Sequence, residues 1–388
     1  MGKHIDQRPY VLRFTFHAIL FLSLARCGPP GPKAMLADAC AYLWSMQDAD
    51  GGWHSATHGL LRGGQAWTPF VLHTLLETPA DGCAPPENAV ARALDFIRRH
   101  FNEEGALGLA DPDVFEYPNY ATAYALRVLV RQGEAEDALR IEAMRAYLAG
   151  QQFAEQRGFG PGDAAYGSWG FGERNLPPGR AGHVDLSHTR RVLQALHEAG
   201  HDAPEAYRRA EVFLRLLQKH PADARLREVG VDSLVYDGGF YASSVVPGVN
   251  KSAPVASDSL LLFGSYATTT SDGLLALLAA GVDPRDERVQ AALGWLRAHD
   301  ALAYPEGMAQ DHPAQWQRVM FYYHLGVRAE AYDALDEPGP WRAAMARALS
   351  GKQHDDGSFA NPYGAPNKED DPILATALAV LALRAATR

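Results

Sequence analysis

Cysteine is nearly missing from this chain: three residues in 388, at positions 27, 40 and 83. That excludes a Cys-x-x-Cys zinc module and a dense disulfide framework. Basic runs are also missing. Lysine and arginine go no further than pairs such as Arg98–Arg99 and Arg190–Arg191, and the formal net charge is -10. Without a basic stripe to displace counterions, a nucleic-acid partner is excluded. No basic amphipathic stretch is present to hold the body of the protein on anionic lipid. No apolar run approaches the roughly 20 residues that span a bilayer. Strand-like alternation persists nowhere, whereas stretches of helical period recur from end to end.

The N-terminus has its own character. Lys3, Arg8 and Arg13 precede a mostly apolar run of 12 residues, Phe14 to Ala25, about right for the core of an export signal. Cys27 follows, then Gly28-Pro-Pro-Gly-Pro32, which reads as a tether. The arrangement resembles a bacterial lipoprotein signal, although Arg26 stands where that family has a small residue and His17 interrupts the run. The resemblance implies lipidation at Cys27, export, and membrane attachment through this anchor only; a cytoplasmic chain is the alternative. Residues 1–33 are therefore assigned to signal and tether and 34–388 to one domain. Cys40 and Cys83 are expected as free buried thiols, with pairing open to them if the chain is exported.

Within the domain the helical stretches come in pairs. First members are Ala34–Met46, Glu87–His100, Ile141–Gln151, Pro204–Lys219, Glu287–His299 and Trp341–Lys352. Second members are Ala66–Glu77, Tyr120–Arg131, Asp185–Ala199, Thr270–Ala280, Trp316–Ala334 and Asp371–Ala386. A repeat of this size predicts an array of supersecondary units. Five second members carry a hydroxyl residue seven positions before a leucine: Thr68/Leu75, Thr122/Leu129, Thr189/Leu196, Ser271/Leu278 and Thr376/Leu383. Seven residues are two turns, so each pair shares one helix face. The fifth second member breaks the pattern with Phe321-Tyr-Tyr-His324.

The turns carry a second signature. Gln47-Asp-Ala-Asp-Gly51-Gly-Trp53 and Gln353-His-Asp-Asp-Gly357-Ser-Phe359 share Gln-x-x-x-Gly-x-aromatic, with weaker cousins at Trp169-Gly-Phe171 and Asp237-Gly-Gly-Phe240. Glycine permits positive φ after the first helix, and the glutamine amide can satisfy open backbone groups. This motif resembles the repeat of squalene–hopene cyclases, whose fold prenyltransferase β subunits share. Gly264–Leu275, Asp286–Leu296, Tyr322-Tyr-His324 and Gln353–Phe359 are similar to bacterial prenyltransferase/squalene oxidase repeat proteins. The similarity covers roughly residues 34–386. It implies an all-α (α/α)6 toroid, second helices inside, around a funnel that takes an isoprenoid or other apolar small molecule.

The chemistry of those families is incomplete here. The cyclases start with an Asp-x-Asp-Asp acid; the nearest sequence is Lys368-Glu369-Asp370-Asp371, where Asp371 precedes Pro372 as a helix cap. Prenyltransferases hold zinc with Asp, Cys and His. Gly238-Gly-Phe240, Asn250-Lys251 and Asp258 resemble their glycine-rich region, yet no cysteine follows residue 83. His183-Val-Asp185-Leu-Ser-His188 reads as Asp185 capping a helix between two histidines, so no metal or cofactor is expected. Complement-type thioester toroids are excluded, because Gly-Cys-Gly-Glu-Gln does not occur.

Asp272, beside the Ser271 of the repeat set, is the candidate acid, with His324 its orienting partner. A carboxylate paired with Arg190 or a hydroxyl is the plainer reading of the same residue. Ligand-binding candidates are Trp53, Trp169, Phe240, Tyr266, Tyr322, Tyr323, Asp185 and His188; the loop aromatics among them either form a platform or close their turns. Three functions fit: a cyclase-type isoprenoid enzyme, a non-catalytic cell-surface toroid binding lipid, peptide or protein, and a carbohydrate-active α/α barrel. The last needs paired carboxylates about 5–10 Å apart.

Overall fold

The computed structural model describes residues 30–111, 113–221, 236–255 and 262–388. The export segment, Cys27 and Asp258 lie outside the described residues. Among the described residues, twelve long helices alternate between two rings. The outer ring holds α1 (Pro32–Ser45), α3 (Ala89–His100), α5 (Ala138–Gly150), α7 (Pro204–Leu217), α9 (Glu287–Ala298) and α11 (Trp341–Leu349). The inner ring holds α2 (Trp67–Leu76), α4 (Pro118–Gln132), α6 (Leu186–Glu198), α8 (Ala267–Ala279), α10 (Phe321–Ala334) and α12 (Pro372–Ala386). Each inner helix packs on the next, and the ring closes where α12 meets both α2 and α1. Two short antiparallel strands, β1 (Pro254–Val255) and β2 (Leu262–Phe263), lie in the long connection before α8.

Composition explains which helices go inside. Along α8 every residue from Ala267 to Leu277 is buried, as suits a helix with neighbours on all sides. Outer α3 buries one stripe, Ala89, Ala93, Leu94, Phe96 and Ile97, and turns Arg92, Asp95 and Arg99 away from it.

The repeat signatures are the rivets of the ring. Four glutamines make the same two bonds through Nε2. Gln47 donates to Gly51 O in its own turn at 3.0 Å and to Ala89 O of the next outer helix at 2.9 Å. Gln152 does so to Gly167 and Ala206, Gln218 to Gly238 and Arg288, and Gln353 to Gly357 and Met35. The last bond ties the final repeat to the first. In the second repeat Asn102 replaces glutamine and caps the turn from inside. The glycines are required twice over. Gly51 has φ +91°, and a Cβ there would stand 2.2 Å from Arg92 O; at Gly167 a Cβ would stand 1.8 Å from Arg209 O.

Inside, the repeat threonine accepts a backbone N–H from the turn. Thr68, Thr122, Thr189, Thr270 and Thr376 bind the amides of Trp53, Leu107, Trp169, Phe240 and Phe359 at 2.8–3.1 Å. The fourth repeat thus uses Thr270/Leu277, one residue before the expected Ser271/Leu278. Ser271 Oγ instead donates to Ala267 O within its own helix, at 2.9 Å. In the fifth repeat His324 holds the corresponding place. It is wholly buried, its Nε2–H donates to Ala301 O at 2.9 Å, and burial beside Arg328 pushes its pKa down to about 3. His324 is a neutral cross-brace.

The cysteines depart from expectation. The short helix Ala80–Cys83 folds back on α1, bringing the Cα atoms of Cys40 and Cys83 to 5.3 Å, and the two are bonded.

Candidate functional site

The N-terminal halves of the inner helices converge on a cavity of about 340 Å³ at one end of the ring. Aromatic rings stand around its wall: Trp67 of α2, Tyr120 of α4, Phe171 and Tyr266 before α6 and α8, Trp316, and Tyr323 of α10. Leu374 and Leu378 complete the apolar side from α12.

The floor is charged. Asp272 Oδ1 lies 2.8 Å from Arg190 Nε, and the Tyr323 hydroxyl donates to Asp272 Oδ2 at 2.7 Å. Arg190 also reaches Glu330 at 3.2 Å. Burial pushes the Asp272 carboxyl above its ordinary value, while Arg190, Arg191 and Tyr323 pull it back. Burial prevails, so the carboxyl stays above its ordinary value, although a guanidinium and an O–H donor stand against it and favour its charged form.

Three cations on the wall make no direct ion pair, although Asp272 acts on Arg191 and Asp185 on Lys251 through space. Among the described residues no carboxylate lies within 4.0 Å of Arg191, Lys251 or Lys368. Arg191 is 7% exposed; its terminal nitrogens donate to Ser187 O and the Tyr323 hydroxyl, and its Nε has no partner. Lys251 Nζ sits 3.6 Å from the Trp316 ring centre, and burial brings its pKa down to about 8. Lys368 Nζ is 5.5 Å from the ring of Tyr117.

At the rim Asp185 caps α6, accepting His188 N at 2.8 Å. His183 Nε2 and His188 Nδ1 donate to the same carboxylate at 2.6 and 3.0 Å. Burial opposes the charged form of Asp185, yet the two histidines hold its pKa well below the usual carboxylate range. The His183 ring stacks on Phe171 at 3.7 Å. One ligand atom from each of the three residues falls within 4.8 Å of the others, so by donor type the group could hold a transition-metal ion. The hydrogen bonds satisfy it equally well without one.

Of the residues singled out in the sequence, Asp185, His188, Tyr266, Asp272 and Tyr323 meet in this cavity. Others do not. Trp53, Trp169 and Phe240 are wholly buried in their turns, and the two indoles donate to Leu43 O and Leu148 O. They close turns and form no platform. Tyr322 lines a separate recess of about 550 Å³ with Phe321, Arg318 and Tyr363. His324 braces α10 against Ala301, so Arg190 and Tyr323 are the partners that orient Asp272. Asp371 caps α12 through Ile373 N at 3.0 Å, and Asp370 meets His58 at 2.8 Å. Arg191, Lys251, Trp316 and Tyr120 are wall residues that the sequence reading passed over. With Thr270 as the register residue, one signal was available: two places beyond the repeat threonine stand Arg191 and Asp272, which both line the cavity.

No protein-family model matches this chain, and no curated protein is similar to it in sequence. Solved structures are similar in fold. The type II terpene cyclase MstE from Scytonema, in complex with geranylgeranyl dihydroxybenzoate, superposes with TM-score 0.54 at 18% identity, over 92% of this chain and 97% of that one. An unsaturated glucuronyl hydrolase specific for heparin gives TM-score 0.57 at 13% identity, over 92% and 96%. An α-1,6-mannanase from Salegentibacter gives 0.53 at 9% identity, over 92% and 99%. The chain has the terpenoid cyclase-like α/α-toroid fold, which those hydrolases also share; at such identity the likeness extends to fold alone.

Proposed function

We propose that this protein is a ligand-binding toroid whose central cavity takes an isoprenoid-like apolar molecule. The observation that carries the reading is the aromatic wall at the open end of the inner ring, from Trp67 round to Tyr323. Its volume of about 340 Å³ falls within the range of small-molecule sites. Supporting it, MstE, of similar fold, is solved with a geranylgeranyl-bearing substrate.

Asp272 organises the floor in this reading and does not protonate the ligand. An acid that protonates an alkene must itself be neutral, and the Arg190 ion pair favours the anion. The Cys40–Cys83 bond supports a place outside the reducing cytosol, in keeping with the lipoprotein-like N-terminus. Native mass spectrometry of protein purified from membranes tests the binding claim. A co-purifying mass of isoprenoid size, displaced by added geranylgeraniol, is expected; protein that is ligand-free and binds no added geranylgeraniol contradicts it.

One observation favours a carbohydrate instead: Asp185 and Asp272 both reach the same cavity, as paired carboxylates of a glycosidase would. Saturable binding of an unsaturated uronic-acid disaccharide, with no binding of geranylgeraniol, would decide for that alternative.

A further inference from the structure

The recess of about 550 Å³ opens between the loops that precede α10 and α12, and it shares no lining residue with the central cavity. Single exposed apolar side chains are ordinary on a protein surface, whereas a gathering of them marks a contact site. Among the described residues only two aromatic side chains are exposed, Tyr304 at 42% and Tyr363 at 51%, and both line this recess. Phe321 stands beside them.

The charge of the recess is equally out of character. The chain has a formal net charge of -10, yet no acid lines the recess and two cations do, Arg318 and Lys352. Among the described residues no carboxylate lies within 4.0 Å of either. Rings hold them instead: the Arg318 guanidinium lies 3.6 Å from the centre of Tyr363, and Lys352 Nζ lies 4.8 Å from that of Phe321. Such contacts orient a cation without cancelling its charge. Buried Asn361 braces the arrangement. Its Nδ2 donates to Arg318 O at 2.9 Å and its Oδ1 accepts the Tyr363 amide at 3.1 Å, so one side chain positions both members of the stack. A surface prearranged in this way loses little freedom on binding. Gln317, on the same wall, keeps an amide oxygen without a hydrogen-bond donor.

Exposed tyrosine and arginine on a prearranged surface are the chemistry of protein contact sites. We propose that the recess docks an acidic peptide segment of a partner protein, its carboxylates on Arg318 and Lys352 and an aromatic side chain against Tyr304 and Tyr363. A peptide N–H supplies the donor that Gln317 lacks. The chain's overall negative charge repels an acidic segment, so local attraction at the recess also decides where it lands. A saccharide needs open ring faces to stack on, and one face each of Tyr363 and Phe321 is already taken by a cation. The docking is independent of what the central cavity holds.

Three dye-labelled peptides titrated into the full chain and read by fluorescence anisotropy test it: Glu-Glu-Tyr-Glu-Glu, Gln-Gln-Tyr-Gln-Gln and Glu-Glu-Gly-Glu-Glu. The first is expected to bind about tenfold tighter than the second, the scale of two exposed ion pairs, and that advantage should shrink as salt is added. It should bind about threefold or more tighter than the third, which lacks the ring. Arg318→Met and Lys352→Gln alter exposed side chains, so the fold stands, and together they should remove most of the tenfold advantage. Arg285→Met takes the same charge from a side chain 91% exposed, away from the recess, and should leave the affinity within about twofold. Equal affinity for the first peptide and either control overturns the proposal. So does a loss in Arg285→Met as large as that in Arg318→Met. Failure of all three peptides to bind overturns it too, and a glucuronic-acid oligosaccharide binding in their place, with the same dependence on Arg318, assigns the recess to a glycan.

Discussion

Replacing Asp272 by asparagine separates two views of the cavity floor. If the carboxyl were protonated in the fold, the amide would mimic it in shape and charge, and the change would cost under about 1 kcal/mol. The structure places Arg190 Nε 2.8 Å away and the Tyr323 hydroxyl at 2.7 Å, both suited to a carboxylate. Breaking a buried ion pair by removing one partner costs about 3–5 kcal/mol. Glu330, 3.2 Å from Arg190, keeps part of the charge compensated, so the low end, about 3 kcal/mol, is the expected loss. Arg190→Met should cost a similar amount by stranding Asp272. In the double variant no charge of the pair is left behind, so the two losses should fall short of additivity by about 2 kcal/mol or more. Guanidinium denaturation of the four proteins, followed by helical circular dichroism, supplies the cycle. A loss below about 1 kcal/mol for Asp272→Asn, or additivity within about 0.5 kcal/mol, would refute the ion-pair account and restore Asp272 as a neutral acid.

Other consequences are equally direct. Reduction of the Cys40–Cys83 bond, or Cys83→Ala, should lower stability by about 4 kcal/mol, from the chain-entropy cost of a loop whose ends are 43 residues apart. An unchanged denaturation midpoint would show that the thiols are free. Thr376→Val leaves the buried Phe359 amide without its acceptor at 2.8 Å and should cost about 1–3 kcal/mol, whereas Thr387→Val at the end of α12 should cost far less. Equal losses at the two sites would contradict the riveting role. Glu369 is wholly buried, and burial raises its pKa to about 7 although the Tyr322 and Tyr323 amides donate to it. A carboxyl raised in the fold binds its proton more tightly there than in the unfolded chain. Its contribution is therefore complete below about pH 4.5 and is lost as pH climbs through about 7, by up to about 3 kcal/mol. Glu369→Gln should flatten that slope; a slope unchanged by the substitution assigns the titration elsewhere.

How much of this was legible in the sequence depended on whether a feature was local. Gln47 to Trp53 and Gln353 to Phe359 carry the whole rivet within seven residues, so they announced the ring. Gln152 and Gln218 make the same bonds, but long insertions part them from Gly167 and Gly238 and hide the motif. Thr270 and Ser271 are adjacent hydroxyls, each seven residues before a leucine, and only the bond to Phe240 N separates them. That single slip concealed the match between Asp272 and Arg191. His324 read as chemistry because a histidine in place of threonine looks unusual, whereas its ring spans the gap to Ala301 as the hydroxyl does elsewhere. Lys251 lies in a connection without period, and the Cys83 turn folds back on α1 through tertiary packing. No spacing rule reaches either.

The central claim is where an apolar chain goes, and photocrosslinking reads that position. A geranylgeranyl probe bearing a diazirine, irradiated with the full chain and mapped by tandem mass spectrometry, should label Tyr117, Tyr120, Trp316 and Tyr323, which all line the cavity. Unlabelled geranylgeraniol should compete that labelling away. Labelling that spares those four residues and concentrates at the exposed Tyr304 and Tyr363 of the outer recess would contradict the account.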